Sequence, residues 1–310
     1  MKSLRKRLLT FLLAAALLLS LAGCDEGYEP ADVEVSHIDT NYEGPNISDY
    51  VNEGIEDAKE NGLYKESDYS DVLGGSSPET SETDQTEQTE ETPDNYPETS
   101  GGQPGQTEDL LSSLADQAYN GEPFVYVNDN KPDFTEEDLK ETEAFEFYSE
   151  LDELGRTGYA FASLNVSLMP EKDENRGDIS SIKPTGWVQA KYEDIGNGGW
   201  LYNRCHLIAW ALAGENANER NLLTGTRYFN TEGMLPFETQ VMRYVDEHPD
   251  NHVLYRVTPV YDENDLLAKG VLLEAYSIED EGTLSFCVYL FNVQPGIDIC
   301  YQTGESRKTG

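Results

Sequence analysis

Cysteine is scarce in this chain. Only Cys24, Cys205, Cys287 and Cys300 occur, and they form no zinc-type cluster. A Gly-rich phosphate loop and a Ser-His-Asp pattern are also missing, which removes the commonest nucleotide-binding and serine-hydrolase readings. Positive charge is scarcer still relative to its opposite: 21 Lys and Arg stand against 60 Asp and Glu, a net charge of −39. A binder of polyanions usually carries a basic footprint, so any such role here must rest on local arginines and a bound cation. Cys205 has no cysteine-protease constellation around it. Cys287 and Cys300 lie in or near apolar, strand-like runs and are compatible with either a disulfide or buried thiols.

Charge and composition divide the chain into three parts. Residues 1–24 begin with Lys2, Arg5, Lys6 and Arg7, continue through the apolar run Leu8–Ala22, and close on Leu21-Ala22-Gly23-Cys24. The run is short for a membrane span, and the segment looks like a bacterial lipoprotein signal. That likeness implies cleavage before Cys24, lipidation of its thiol, and anchoring on the extracytoplasmic face of the cell membrane; an ordinary secretory signal or an uncleaved anchor is the alternative. Residues 25–120 carry 26 acidic side chains against Lys59 and Lys65 and are rich in Thr, Ser, Glu, Gly and Pro from Ser76 to Gln106. So little apolar surface and so much like charge predict a disordered, extended stalk, with a short helix over Leu110–Tyr119. Residues 121–310 form the folded domain, itself acidic with 34 acidic and 15 basic side chains.

Within that domain the chemistry concentrates between Asn203 and Glu238. His206 offers a base whose ordinary pKa of roughly 6.5 leaves it neutral at physiological pH. Asn230 offers a carbonyl oxygen suited to Mg²⁺, which keeps most of its waters. Glu238 is placed to hold a metal-bound water, and Arg204, Arg156 and Arg243 are candidate phosphate contacts. Together these are the ingredients of metal-assisted phosphodiester hydrolysis. Taken singly, each has a plainer reading: a structural histidine, an N-cap asparagine, a solvated glutamate, surface arginines. His248 and His252, in a polar loop around Pro249, are read as structural.

Periodicity places these residues on elements. Trp187–Glu193 and Trp200–Arg204 read as a hairpin around Ile195–Gly199, with His206 at the end of its second strand. Leu207–Ala213 reads as a short helix stopped by Gly214, and Asn221–Gly225 as a return segment. Thr231–Glu247 has helical spacing, with a break expected at Pro236. His252–Tyr261, Val271–Ser277 and Thr283–Asn292 read as strands of an antiparallel sheet, making the class α+β.

The segment Tyr202–Glu238 resembles the DNA/RNA non-specific endonuclease family of the ββα-metal (His-Me finger) superfamily. That family's Asp-Arg-Gly-His motif reads Asn203-Arg204-Cys205-His206 here. The resemblance implies His206 as general base, Asn230 as the ligand of Mg²⁺ (Mn²⁺ being chemically equivalent at oxygen ligands), Asn221 nine positions earlier as a supporting residue, and Glu238 eight positions after Asn230. It extends over roughly residues 123–304, through Leu154-Gly155-Arg156, Asn221–Arg227, Tyr255–Pro259 and Asn292–Gly296. Two departures stand out: Asn203 removes a negative charge near the metal, and Cys205 replaces a glycine. The resemblance thus implies an extracytoplasmic, metal-dependent endonuclease acting on DNA and RNA, leaving 5′ phosphates, with a ββα-metal unit on a central antiparallel sheet. The alternative is a nuclease-fold surface lipoprotein that has lost turnover and binds nucleic acid or a cell-envelope partner. The sequence identifies no protein partner.

Overall fold

A computed structural model describes residues 38–39, 107–171, 174 and 176–310. The signal segment 1–24 with Cys24, and the stalk apart from residues 38–39 and 107–120, lie outside the described residues. Eleven strands and three α-helices are described. They are β1 (Ile38–Asp39), α1 (Thr107–Ala115), β2 (Phe124–Val127), β3 (Phe145–Tyr148), β4 (Ala160–Leu164), β5 (Tyr202–His206), α2 (Trp210–Ala213), β6 (Leu222–Thr226), α3 (Leu235–Glu247), β7 (Val253–Val260), β8 (Gly270–Ser277), β9 (Ser285–Phe291), β10 (Ile297–Ile299) and β11 (Ser306–Lys308).

The central sheet runs β1-β2-β9-β8-β7-β4-β3, and every pairing in it is antiparallel. Its inner strands are almost wholly buried, so their side chains sort by alternation into two apolar faces. One face presents Ala162, Tyr255, Leu273 and Val288, and joins Phe237, Val241 and Val245 of α3 and Leu207 and Leu223 beside the β5–β6 pair in one core. The other presents Leu272, Cys287, Tyr289 and Phe291, and is capped by Leu114 of α1. The α+β class with its antiparallel sheet is therefore as expected.

Three boundaries differ from the sequence reading. The domain starts before residue 121, because α1 packs Leu114 fully out of solvent with Leu110 and Leu111 at its side, and β1 pairs with β2 from within the expected stalk. Trp187–Glu193 is not a regular strand. Its pairing with the chain before β5 reduces to a bridge at Lys191 and Trp200, and beside it the Gln189 side chain accepts from Tyr202 N–H (2.9 Å) and donates to the Tyr202 carbonyl (2.7 Å) in place of a backbone partner. The ladder partner of β5 is β6. Finally, the helix does not break at Pro236. Residues Phe229–Met234 form a π turn that runs into α3 without interruption, with the proline in the turn that follows the π-to-α junction.

No disulfide forms among the described cysteines: Cys205 and Cys287 are buried thiols and Cys300 is exposed. No described helix is long and apolar enough to cross a membrane.

Candidate active site

β5 and β6 stand apart from the central sheet as a two-stranded unit. Asn292, wholly buried at the end of β9, ties it in: its side chain accepts from Thr226 N–H (2.9 Å) and donates to the carbonyls of Thr224 (3.1 Å) and Ala268 (3.0 Å). α3 follows β6 and covers it, completing a strand-strand-helix unit with His206 at the end of β5 and Asn230 in the π turn.

His206 is buried, and both ring nitrogens are engaged. Nδ1 lies 2.9 Å from Nη2 of Arg176, and Nε2 lies 2.9 Å from the Asn216 carbonyl. A guanidinium can only donate and a carbonyl can only accept, so the ring is the neutral tautomer with its proton on Nε2 and its lone pair on Nδ1. Burial, then the Arg176 charge, hold its pKa down at about 3. The chain just past the histidine is fixed by Asn221. The Asn221 side-chain oxygen accepts from Leu207 N–H (3.1 Å) and Ile208 N–H (2.9 Å), and its amide donates to the Ile208 carbonyl (3.0 Å). Asn221 is completely buried and acts as a positioning residue for the strand end.

Glu238, in the first turn of α3, is half-buried. Desolvation pushes its carboxyl up to about 8, with Arg176 acting in the opposite direction. Its charge also acts on Cys205 and Tyr255, and Arg176 acts on both Glu238 and His206. Asn230 is half-buried, and its carbonyl accepts the N–H of Leu235. Cys205 faces the core with its thiol raised well above the ordinary range by burial, so it is no nucleophile.

Two of the three arginines expected at the substrate, Arg204 and Arg156, make contacts within the protein. Arg204 donates to the carbonyls of Ile182 (2.5 Å) and Ser180 (2.8 Å) and stacks 4.3 Å from the Trp187 ring centroid, bracing the loop that follows Arg176. Arg156 pairs with Asp152 (2.6 Å), donates to the carbonyls of Glu263 and Asp265, and lies over Tyr261. Arg243 is five residues past Glu238, about 140° round the helix from it. His248 bonds the Tyr244 carbonyl and stacks on its ring, and His252 pairs with Glu279; both are structural.

Arg176 and Asn216 were not singled out in the sequence. Arg176 comes from 30 residues before His206 in a polar, non-periodic run, and Asn216 contributes a backbone atom that no residue type encodes. One local signal exists: a Cβ on Gly177 would come within 2.6 Å of Asn216 Nδ2, so glycine after Arg176 allows the two loops to close on the imidazole.

The DNA/RNA non-specific endonuclease family model matches residues 136–278, which include Arg176, His206, Asn221, Asn230 and Glu238. A deoxyribonuclease of Streptococcus dysgalactiae subsp. equisimilis is 33% identical over 108 residues, 34% of this chain and 32% of that protein. The chain thus matches about a third of the length of that curated relative. The crystal structure of NucA from Streptococcus agalactiae with magnesium ion bound superposes with a TM-score of 0.55 at 29% identity, covering 66% of this chain and 96% of that one. NucA with no metal bound gives 0.54 at 28% identity, covering 66% and 97%.

Proposed function

Because residues 136–278 are a DNA/RNA non-specific endonuclease domain, we propose that this chain is a divalent-metal-dependent endonuclease that hydrolyses DNA and RNA outside the cytoplasm, anchored by a lipid on Cys24. The observation that carries the reading is the state of His206: neutral, fixed at both nitrogens, with its lone pair on Nδ1 in the neighbourhood of Arg176 and Glu238.

The donor set fits a hydrated hard cation. Among the described residues no three His, Cys, Asp or Glu side chains gather as a metal-binding group, so an ion held here keeps most of its waters, the habit of Mg²⁺. Glu238, its carboxylate form disfavoured by burial, is a site at which a nearby cation would restore ionisation. Asn230 would hold the ion through its side-chain carbonyl, and Glu238 would hold one of its waters. When bound, the ion supplies charge that offsets the phosphorane-like transition state and the departing 3′ oxygen.

The remaining steps belong to the protein. A phosphodiester bound at the centre draws Arg176 from Nδ1 of His206 onto a phosphate oxygen. Nδ1 then takes a proton from water, and the hydroxide attacks phosphorus opposite the 3′ oxygen; the bond from phosphorus to the 3′ oxygen breaks and that oxygen takes a proton from solvent water, leaving a 5′ phosphate and a 3′ hydroxyl. The Asn216 carbonyl stabilises the imidazolium through Nε2–H, and Asn221 keeps the ring in place.

The test is plasmid and RNA cleavage by the purified chain with Mg²⁺, with EDTA, and as His206→Ala. Cleavage should vanish in EDTA and fall by about 10²–10⁴ in the variant, the usual worth of a general base. Retention of DNA by the folded chain with no cutting in Mg²⁺ or Mn²⁺ would instead mark it as a binding module.

A further inference from the structure

Five large hydrophobic residues are exposed among the described residues, and only two are aromatic: Tyr119 at 37% and Trp200 at 38%. Both lie by the chain that leads into Asn230. The Arg227 N–H donates to the Leu201 carbonyl (2.8 Å), which continues the β5–β6 pairing by one residue and sets Trp200 beside the start of the helical stretch that carries Tyr228. From the other side, the Tyr119 hydroxyl meets the Tyr228 hydroxyl at 3.4 Å, and its ring is set edge-on against Phe291 at 5.6 Å. Tyr228 and Arg227 are two and three residues ahead of Asn230 in the same helical stretch. The exposed Lys191 places its ammonium 4.1 Å from the Trp200 ring centroid.

We propose that Trp200, Tyr228 and Tyr119, with Lys191 and Arg227 beside them, form a stacking subsite for unpaired bases of a single-stranded nucleic acid whose backbone continues into the centre at His206 and Asn230. The proposal rests on the nuclease reading above. Any base offers a π face, so aromatic rings grip a strand without reading its sequence, and a duplex keeps those faces stacked inside itself. A phosphate beside the bound base takes the ammonium of Lys191 from the ring. Glu122 and Glu232 lie close enough to Tyr228 to disfavour ionisation of its hydroxyl. Glu232 also acts on Arg227, so the strand's phosphates run on the Lys191 side, and stacking outweighs charge in the affinity.

The experiment is fluorescence anisotropy of labelled oligo-dT with the full chain in EDTA, against a duplex of the same length. In parallel, Mg²⁺-dependent turnover of methyl p-nitrophenyl phosphate, which has no base to stack, reports on the centre. Trp200→Ala should weaken oligo-dT binding on the order of 5- to 100-fold, leave duplex binding and small-substrate turnover unchanged, and be rescued by Trp200→Phe. Unchanged oligo-dT affinity, or an equal loss for duplex, would overturn the proposal. Failure of the nuclease reading shows separately, as absent turnover by the wild-type chain, and the oligo-dT arm still decides whether the strip binds single strands.

Discussion

At the scale of single residues, two buried groups with displaced protonation set the behaviour of the centre. Arg176 contributes to holding His206 neutral and donates to its Nδ1. In Arg176→Ala the His206 imidazole should therefore titrate at higher pH, visible by NMR, while kcat/KM falls through loss of a phosphate contact. Glu238 and His206 also shape stability in opposite directions. The His206 pKa of about 3 lies below its unfolded value of 6.5, so the unfolded chain binds the proton first and stability falls as pH drops from 6.5 toward 3. The Glu238 pKa of about 8 lies above its unfolded value of 4.5, so the unfolded chain releases its proton first and stability falls as pH rises from 4.5 through 8. In EDTA, Glu238→Gln should remove the alkaline loss in chemical denaturation while leaving the acid limb in place; an unaltered alkaline limb would refute the assignment.

At the scale of elements, the β5–β6 unit is separate from the sheet yet must hold His206 against α3. Asn292 carries much of that connection. Asn292→Ala would leave the Thr226 N–H and the Thr224 and Ala268 carbonyls without this partner, at about 1–3 kcal/mol for each group left unsatisfied. Hydrogen exchange should accelerate in β6 before it does in β8. The strands β7, β8 and β9 and the stop at Gly214 were legible in the sequence, because alternating apolar side chains and a left-handed glycine (φ 68°) encode them locally. That His206 ends a strand and that Glu238 lies on the helix after the return segment was legible as well, because these elements follow one another within one short unit. The partner of β5 was not: Trp187–Glu193 has strand composition, but the Gln189 side chain replaces the ladder and frees β5 for β6. Arg176, Asn216 and the true work of Arg204 and Arg156 depend on contacts between distant loops, which no local pattern carries.

For the whole molecule, the folded unit reaches further toward the N-terminus than composition suggests. An acidic, polar segment hides three leucines that close the far face of the sheet. Leu114→Ala should cost about 2–5 kcal/mol, the range for deleting a buried leucine side chain, and lower the midpoint of thermal unfolding. A change within ±0.5 kcal/mol, the usual size for an exposed site, would return that helix to the stalk. A fragment trimmed to residues 136–278 would lack α1, β2 and β9, and with them the strand order of the sheet.

The contact between Cys205 and Gly225 has a bearing on descent. A Cβ at 225 would fall 2.4 Å from the Cys205 sulfur and 2.7 Å from the Phe229 ring. Phe229 alone therefore demands glycine at 225, whatever residue precedes the histidine. A lineage carrying glycine at 205 already possessed the room that the thiol now fills, and acquiring cysteine there required no prior change nearby. The reverse step would open a void that no side chain at 225 can close. Cys205→Gly should therefore loosen the packing of β5 on Phe229, with no repair available from residue 225.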